Sequence, residues 1–307
     1  MILTLTTNPA IDRTLRVPVF AVGDVTQVEN TTETATGEGV NVTRALLARG
    51  YESEALVVCG GLQGTIYQEL LNAEGIPATY SLVADNTAVH TTICDESSVS
   101  TLKEQGPRIS EDELQQLYTT VHRVIDETQA KILVLCGELN PGLSSFFYEK
   151  IRRIAVAERI KLAVDTSGFA FRGAIERGGL TVAQASLADL EKFAGVKCEI
   201  LGEVIEKAWD LLAYNNERIL INLGDKGAVL VDEDHAWYAT APETLVKGIA
   251  ISSATMLAGY LSAMNESAEI ALQQAVSWAF STHDTHATAV TLKIKVTQNP
   301  PMDMLLR

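Results

Sequence analysis

Four short segments of this 307-residue chain have residue types and spacing that could do chemistry. Gly37-Glu38-Gly39-Val40-Asn41 puts two glycines ahead of a segment of helical period. Glycines let a ligand approach the backbone, and a helix N-terminus favours an anionic group. Asp165-Thr166-Ser167-Gly168 leaves an apolar run with one carboxylate and two hydroxyls. Asp12 follows Asn8-Pro9-Ala10 at the exit of the first apolar run, and a carboxylate there can accept from two hydroxyls at once. Asn222-Leu223-Gly224-Asp225-Lys226-Gly227 joins two further apolar runs. Each segment has a plainer reading too: a glycine turn before a helix, an N-cap, an Asx or proline turn, and a β-turn between strands. Spacing alone leaves both readings open.

The histidines are His90, His122, His235, His283 and His286. The last two are three residues apart at the end of a helical segment, where the helix dipole accounts for them better than a metal does. Cys59, Cys94, Cys136 and Cys198 are widely spaced with no CxxC pair. A metal or disulfide framework is therefore not expected, and a reducing cytoplasm fits. Cys59 and Cys136 close apolar runs and read as buried thiols.

The elements that must position these residues alternate. Apolar runs of strand length occur at Ile2–Thr6, Ala55–Cys59, Ile132–Cys136, Leu162–Val164, Arg218–Leu223 and Ala228–Val231. Segments of helical period lie at Gly39–Arg49, Ile66–Ala73, Glu111–Glu127, Ser144–Ala157 and Glu203–Tyr214, with two consecutive helices expected at Ser253–Met264 and Ala268–Ser281. This order predicts an α/β fold with a mainly parallel sheet and helices on both faces, its ligands bound beyond the carboxyl ends of the strands. Thr14–Thr36 and Thr87–Leu102 break the alternation and predict a small separate β-sheet, a lid. Residues 1–307 otherwise read as one domain, with no internal repeat.

Composition narrows the function classes. With 24 basic and 39 acidic residues the net charge is −15, which argues against nucleic acid as a partner. No run of about 18 apolar residues is present, and no basic amphipathic stretch, so no membrane partner is expected. The first residues alternate apolar and polar without Lys or Arg, as a strand does and a signal peptide does not.

Taken together and in order, Thr7-Asn8-Pro9-Ala10-Ile11-Asp12-Arg13-Thr14, Thr36–Leu46, Leu135–Gly142, Asp165–Gly168, Asn222–Ala228 and Met256–Leu261 resemble the PfkB-type carbohydrate kinases of the ribokinase-like fold. The nearest branch is that of the hexose-phosphate kinases, 1-phosphofructokinase and tagatose-6-phosphate kinase. The resemblance implies a three-layer α/β/α core with a β-sheet lid, a sugar acceptor, and ATP with Mg²⁺. It implies sugar contacts from Asp12, Gly37, Gly39 and Asn41. Nucleotide and phosphate contacts would come from Asp165, Gln184, Asn222, Gly224, Gly227, Ser252 and Ser253. A homodimer clasped through the lids is also expected, since exposed lid strands need cover.

The chain departs from the family where charge does the work. Glu38 stands where the family has a lysine, and should repel a sugar phosphate. In Val182-Ala183-Gln184-Ala185-Ser186-Leu187 the family's asparagine and glutamate become Gln184 and Leu187. Leu187 cannot serve a Mg²⁺ shell, and Asp189, two residues on, is expected to point elsewhere. In the lid, Thr87-Ala88-Val89-His90-Thr91-Thr92 lacks the family's arginine and lysine. In Ile251-Ser252-Ser253-Ala254 the anion-hole glycines are replaced, and Ala254 occupies the position of the catalytic aspartate. No catalytic residue is intact, and no metal site is read. The expectation is a kinase homologue impaired in catalysis that retains sugar or nucleotide binding. The alternatives are an active hexose-phosphate kinase with a substitute base, Asp165 or Glu38, and a structural subunit paired with an active paralogue.

Overall fold

The structure, a computed structural model, describes residues 1–241, 251–280 and 294–306. A ten-stranded sheet runs in the order β14-β13-β12-β11-β10-β9-β8-β1-β4-β5. Its central strands are β1 (Ile2–Thr6), β4 (Ser53–Gly60), β8 (Ile132–Cys136) and β9 (Lys161–Asp165). They are flanked by β5 (Ala78–Val83) on one side and by β10 (Val182–Ser186) and β11 (Ile219–Asn222) on the other. All pairings among these seven strands are parallel. β12 (Ala228–Val231), β13 (Ala236–Thr240) and β14 (Lys295–Gln298) then add as antiparallel strands at one edge.

Side chains alternate between the two faces, as the two-residue period of a strand demands. Leu133, Leu135, Leu162, Val164, Ile219 and Ile221 pack on one face. There they meet α3 (Glu111–Thr128), α4 (Phe146–Glu158), α5 (Gly168–Arg177), α6 (Leu187–Ala194) and α7 (Leu201–Leu212). Ile132, Val134, Ala163, Val182 and Leu220 face the opposite layer, formed by α1 (Glu38–Leu47), α8 (Ser253–Ser262) and α9 (Ala268–Phe280). Local signals set the helix ends. Ser110 and Glu113 form a reciprocal capping box on α3, and Gly75, left-handed, ends α2 (Gly61–Glu74).

The chain runs outward from β1 to β5 in one direction and returns through β8 to β11 in the other. The order therefore reverses between β1 and β8, and the crevice beyond their carboxyl ends is where this architecture binds ligands.

A second sheet, in the order β3-β2-β6-β7, consists of β2 (Ala10–Arg16), β3 (Asn30–Thr36), β6 (Ala88–Cys94) and β7 (Val99–Leu102). β2 pairs antiparallel with β3 and parallel with β6. Its root is fixed by Ile11, Ala35 and Val89, which join Val40, Val57 and Tyr67 in a buried cluster with α1, β4 and α2. This sheet differs from the expected one at its start. β2 begins at Ala10 rather than at residue 14, so Asp12 lies within the second sheet. Residues 17–29 are irregular and mostly exposed, so the Val and Phe enrichment there forms no strand.

Candidate sugar and phosphoryl site

The crevice between β1 and β8 is walled by the head of α1. Gly37, at φ +151°, leaves room for Thr6: a Cβ there would meet Thr6 Cγ2 at 2.7 Å, and one on Gly39 would meet Thr6 Oγ1 at 2.5 Å. The two glycines bring the helix N-terminus against the end of β1. No side chain caps that N-terminus. Glu38, in its first turn, comes within 3.9 Å of the Cβ that Gly137 lacks, so it faces the loop after β8 across the crevice. Dense surroundings push the Glu38 carboxyl up, Lys103 opposes the shift, and the charge of Asp12 adds to it.

Three of the expected sugar-contact residues therefore converge with Glu38. Asp12 lies on β2 in register with Thr34 on β3 and His90 on β6. Asn41, on α1, is held by Arg44, whose Nη1 donates to Asn41 Oδ1 at 2.6 Å. Arg44 is itself fixed by Ala35 O at 2.9 Å and by Glu74 at 2.8 Å. With its carbonyl engaged, Asn41 keeps its amide N–H groups for a ligand. Arg44 was not singled out in the sequence. An arginine three residues after an asparagine on a helix is the signal that could have found it.

The opposite wall is the end of β9. Asp165 is 7% exposed, and its Oδ1 accepts from Ser253 Oγ at 3.2 Å. Gln184, fully buried on β10, donates from Nε2 to both Ser253 O and Ser253 Oγ at 2.8 Å. Asp165 Oδ2 and Gln184 Oε1 are buried without a partner. Burial pushes the Asp165 carboxyl up to about 7, and the like charges of Glu38 and Asp189 act in the same direction. Asp165, Gln184 and Ser253 thus meet, and the charge of Glu38 reaches Asp165. Buried Cys136 at the end of β8 is pushed well above the usual thiol range.

Other expectations are corrected. β10 ends in the polar Ser186, two residues beyond Gln184. Ser186 Oγ caps α6 by accepting from Asp189 N at 3.1 Å. The acid belonging to this turn is Asp189, two residues beyond Leu187, and it does not point elsewhere. Its Oδ1 accepts from Gly168 N at 3.0 Å, in the turn that follows Asp165. Leu187 packs against the core instead.

Asn222 is spent on its own turn, with Oδ1 accepting from Gly224 N at 2.9 Å. A Cβ on Gly227 would sit 2.0 Å from Ala239 O, so that glycine admits β13 to the hairpin. Backbone geometry thus accounts for Asn222, Gly224 and Gly227. Ser252 caps α8 by accepting from Thr255 N at 3.2 Å. Ala254 is 1% exposed and packs in the apolar cluster with Val42, Cys136 and Met256. The lid also supplies a cation after all: Lys103, just after β7, acts on Glu38. His283 and His286 lie outside the described residues.

The residues fit a resident divalent cation poorly. Mg²⁺ takes ionised or carbonyl oxygens in near-octahedral order. Both carboxylate oxygens of Asp189 are engaged, by Gly168 N and Ser186 Oγ, and burial pushes Asp165 toward its neutral form. Among the described residues no group of three or more His, Cys, Asp or Glu could hold a metal.

Comparison with known proteins gives this geometry a family. The model of the pfkB family of carbohydrate kinases matches residues 5–279. The chain belongs to that family. It is 28% identical over 264 residues to the 1-phosphofructokinase of Haloferax volcanii, covering 86% of this chain and 84% of the relative. It is 27% identical over 266 residues to a tagatose-6-phosphate kinase of Staphylococcus epidermidis, covering 86% and 85%. Among solved structures, phosphofructokinase-2 of Escherichia coli in complex with fructose-6-phosphate superposes with a TM-score of 0.77 at 22% identity, over 91% of this chain and 92% of that one. This likeness shows the shared fold: the three-layer α/β core with its second, smaller sheet. No helix among the described residues is long and apolar enough to cross a membrane.

Proposed function

We propose that this PfkB-family protein binds a sugar in the crevice between Asp12, Glu38 and Asn41 but transfers phosphoryl groups at no more than trace rates. The observation that carries this reading is Ala254. The family places its general base at the head of the helix that is α8 here, and Ala254 is a methyl group 1% exposed in an apolar cluster. A positioned base is worth roughly 10²–10⁴-fold in rate. The anion-hole glycines are Ile251 and Ser253, so charge stabilisation, the main term in phosphoryl transfer, is lost as well. ATP is the nucleotide the family implies, and Asp165, Gln184, Ser252 and Ser253 are the residues proposed to face it. Asp12, Gly37, Gly39 and Asn41 are proposed to face the sugar, with a role as sensor or regulatory partner.

One observation favours a second reading. Asp165 is pushed up to about 7 and accepts from Ser253, the neighbour of Ala254, so it has the pKa of a general base near the missing one. In that reading the protein is an active hexose-phosphate kinase. Its burial and its engagement with Ser253 count against it.

We also propose a homodimer through the second sheet. Val99 and Leu102 are exposed on the edge strand β7, and a bare edge needs cover. A tetrameric inhibited form is known for Escherichia coli phosphofructokinase-2. All four cysteines are thiols, which fits a cytoplasmic site.

Calorimetry with a sugar panel and an ADP-release assay on the same panel separate these readings. Sugar binding without ADP release supports the first. Turnover at about one per second, within the usual kinase range, supports the second. Absence of sugar and nucleotide binding would leave only a structural subunit.

A further inference from the structure

Away from the crevice, the first two turns of α3 and α4 surround a pocket of about 380 Å³, closed at one end by loop residues 142–144. That is the size of a small-molecule site. Its floor is apolar and aromatic. Tyr118 stacks on Phe147 with ring centroids 6.1 Å apart, and Leu114 and Leu143 pack on the core beside them. Phe146 adds a ring that is 69% exposed, one face covered by the Arg177 guanidinium 5.2 Å away. Tyr118 is only 7% exposed, yet its hydroxyl makes no hydrogen bond among the described residues. A tyrosine so placed normally finds a partner.

Four charged side chains stand at the rim, and two of them satisfy each other. Arg153 pairs with Glu149 at 2.8 Å, and Glu149 takes Arg152 as well. The other two, Glu111 on α3 and Lys150 on α4, have no ion-pair partner among the described residues. Glu111 Oε1 accepts from the neutral Gln115 amide at 3.0 Å, and Lys150 Nζ stands 5.7 Å from the centre of the Tyr118 ring. The pocket therefore offers an anion on one helix, a cation on the other and an apolar floor.

A purely apolar ligand would leave both charges bare. An anion would pair with Lys150 but meet Glu111, and a cation the reverse. A zwitterion with an apolar side chain matches all three parts. We infer that this pocket binds a free α-amino acid with a large apolar side chain. Its carboxylate lies at Lys150 and the Tyr118 hydroxyl, its ammonium at Glu111, and its side chain against Leu143 and Phe146. The inference stands apart from the sugar-binding reading and shares no residue with it.

The test is calorimetry of the full chain with phenylalanine, leucine and alanine, and with 3-phenylpropionate and phenethylamine, which each keep one charge of phenylalanine. Phenylalanine and leucine should bind with a Kd below about 1 mM. Alanine, without the apolar side chain, should bind at least about tenfold more weakly. Each singly charged analogue should also lose about tenfold, the weight of one hydrogen bond between charged groups. Glu111 and Lys150 are exposed, so Glu111→Gln and Lys150→Gln should keep the fold, as circular dichroism checks. Lys150→Gln should weaken phenylalanine about tenfold and leave phenethylamine unchanged. Glu111→Gln should weaken phenylalanine about as much and leave 3-phenylpropionate no weaker. Absence of binding by both apolar amino acids, equal binding of phenylalanine and its singly charged analogues, or binding unchanged in both variants overturns the inference. Each of these leaves the sugar-binding reading standing.

Discussion

Replacing Asp165 by Asn should stabilise this protein above neutral pH and do little in acid. The carboxyl titrates near 3.8 when unperturbed and is pushed up to about 7 in the fold. Over that window the folded state holds a proton that the unfolded chain has lost, so stability falls as pH rises through it and levels off above about 7. At about 1.4 kcal/mol per pH unit, the full gap corresponds to about 4 kcal/mol by pH 8, and to less than 2 kcal/mol at pH 5. Asparagine carries no such penalty. Its carbonyl can still accept from Ser253. Urea denaturation of the two proteins from pH 5 to pH 9 should give curves that diverge by roughly 2–3 kcal/mol across the range, with the variant the more stable at pH 8. Curves that stay parallel, or a variant less stable than the parent at pH 8, would refute the placement of Asp165 as a buried acid crowded by Glu38.

Three further outcomes follow from the same geometry. Gly39→Ala forces a Cβ to 2.5 Å from Thr6 Oγ1 at the floor of the crevice, and should cost about 1–3 kcal/mol in denaturation and weaken sugar binding in calorimetry. Ala254→Asp buries a second acid near Asp165, so it should lower the melting temperature and leave ADP release at trace level. ADP release should rise only when Ser253→Gly, Ile251→Gly and Glu38→Lys are added, the acid of the turn after β10 being present already as Asp189. Arg44→Met releases the Asn41 carbonyl and should weaken sugar binding about tenfold, the equivalent of one hydrogen bond to a charged or oriented group.

Much of the frame was legible because apolar periodicity dominates it. β1, β8 and β12 span Ile2–Thr6, Ile132–Cys136 and Ala228–Val231, matching residue for residue three of the six runs read from sequence. The elements missed have their period interrupted. β10 carries the buried polar Gln184 at its centre, tolerable because Ser253 receives its amide. α5 holds Gly168 and Gly173, which blank the helical stripe. The second sheet was read two turns of alternation late because Ala10–Arg16 mixes buried Ile11 with Asp12 and Arg13. In the site, the glycine-led head of α1 was legible because only glycine fits against Thr6. The Asp189 contact was not, because it depends on where α6 starts, and Ser186 sets that by capping. Lys103 and Arg44 escaped notice because their partners, Glu38 and Asn41, meet them only through the fold.

The central claim is that this crevice holds a sugar without phosphorylating it. Phosphorus NMR of stoichiometric protein with ATP, Mg²⁺ and a sugar shown to bind tests that directly, because a single turnover is enough to be seen. The ATP resonances should persist over hours, with no sugar phosphate ester appearing. Growth of an ester signal at a rate near one per second, typical of kinases, would contradict the claim and transfer the role of base to Asp165.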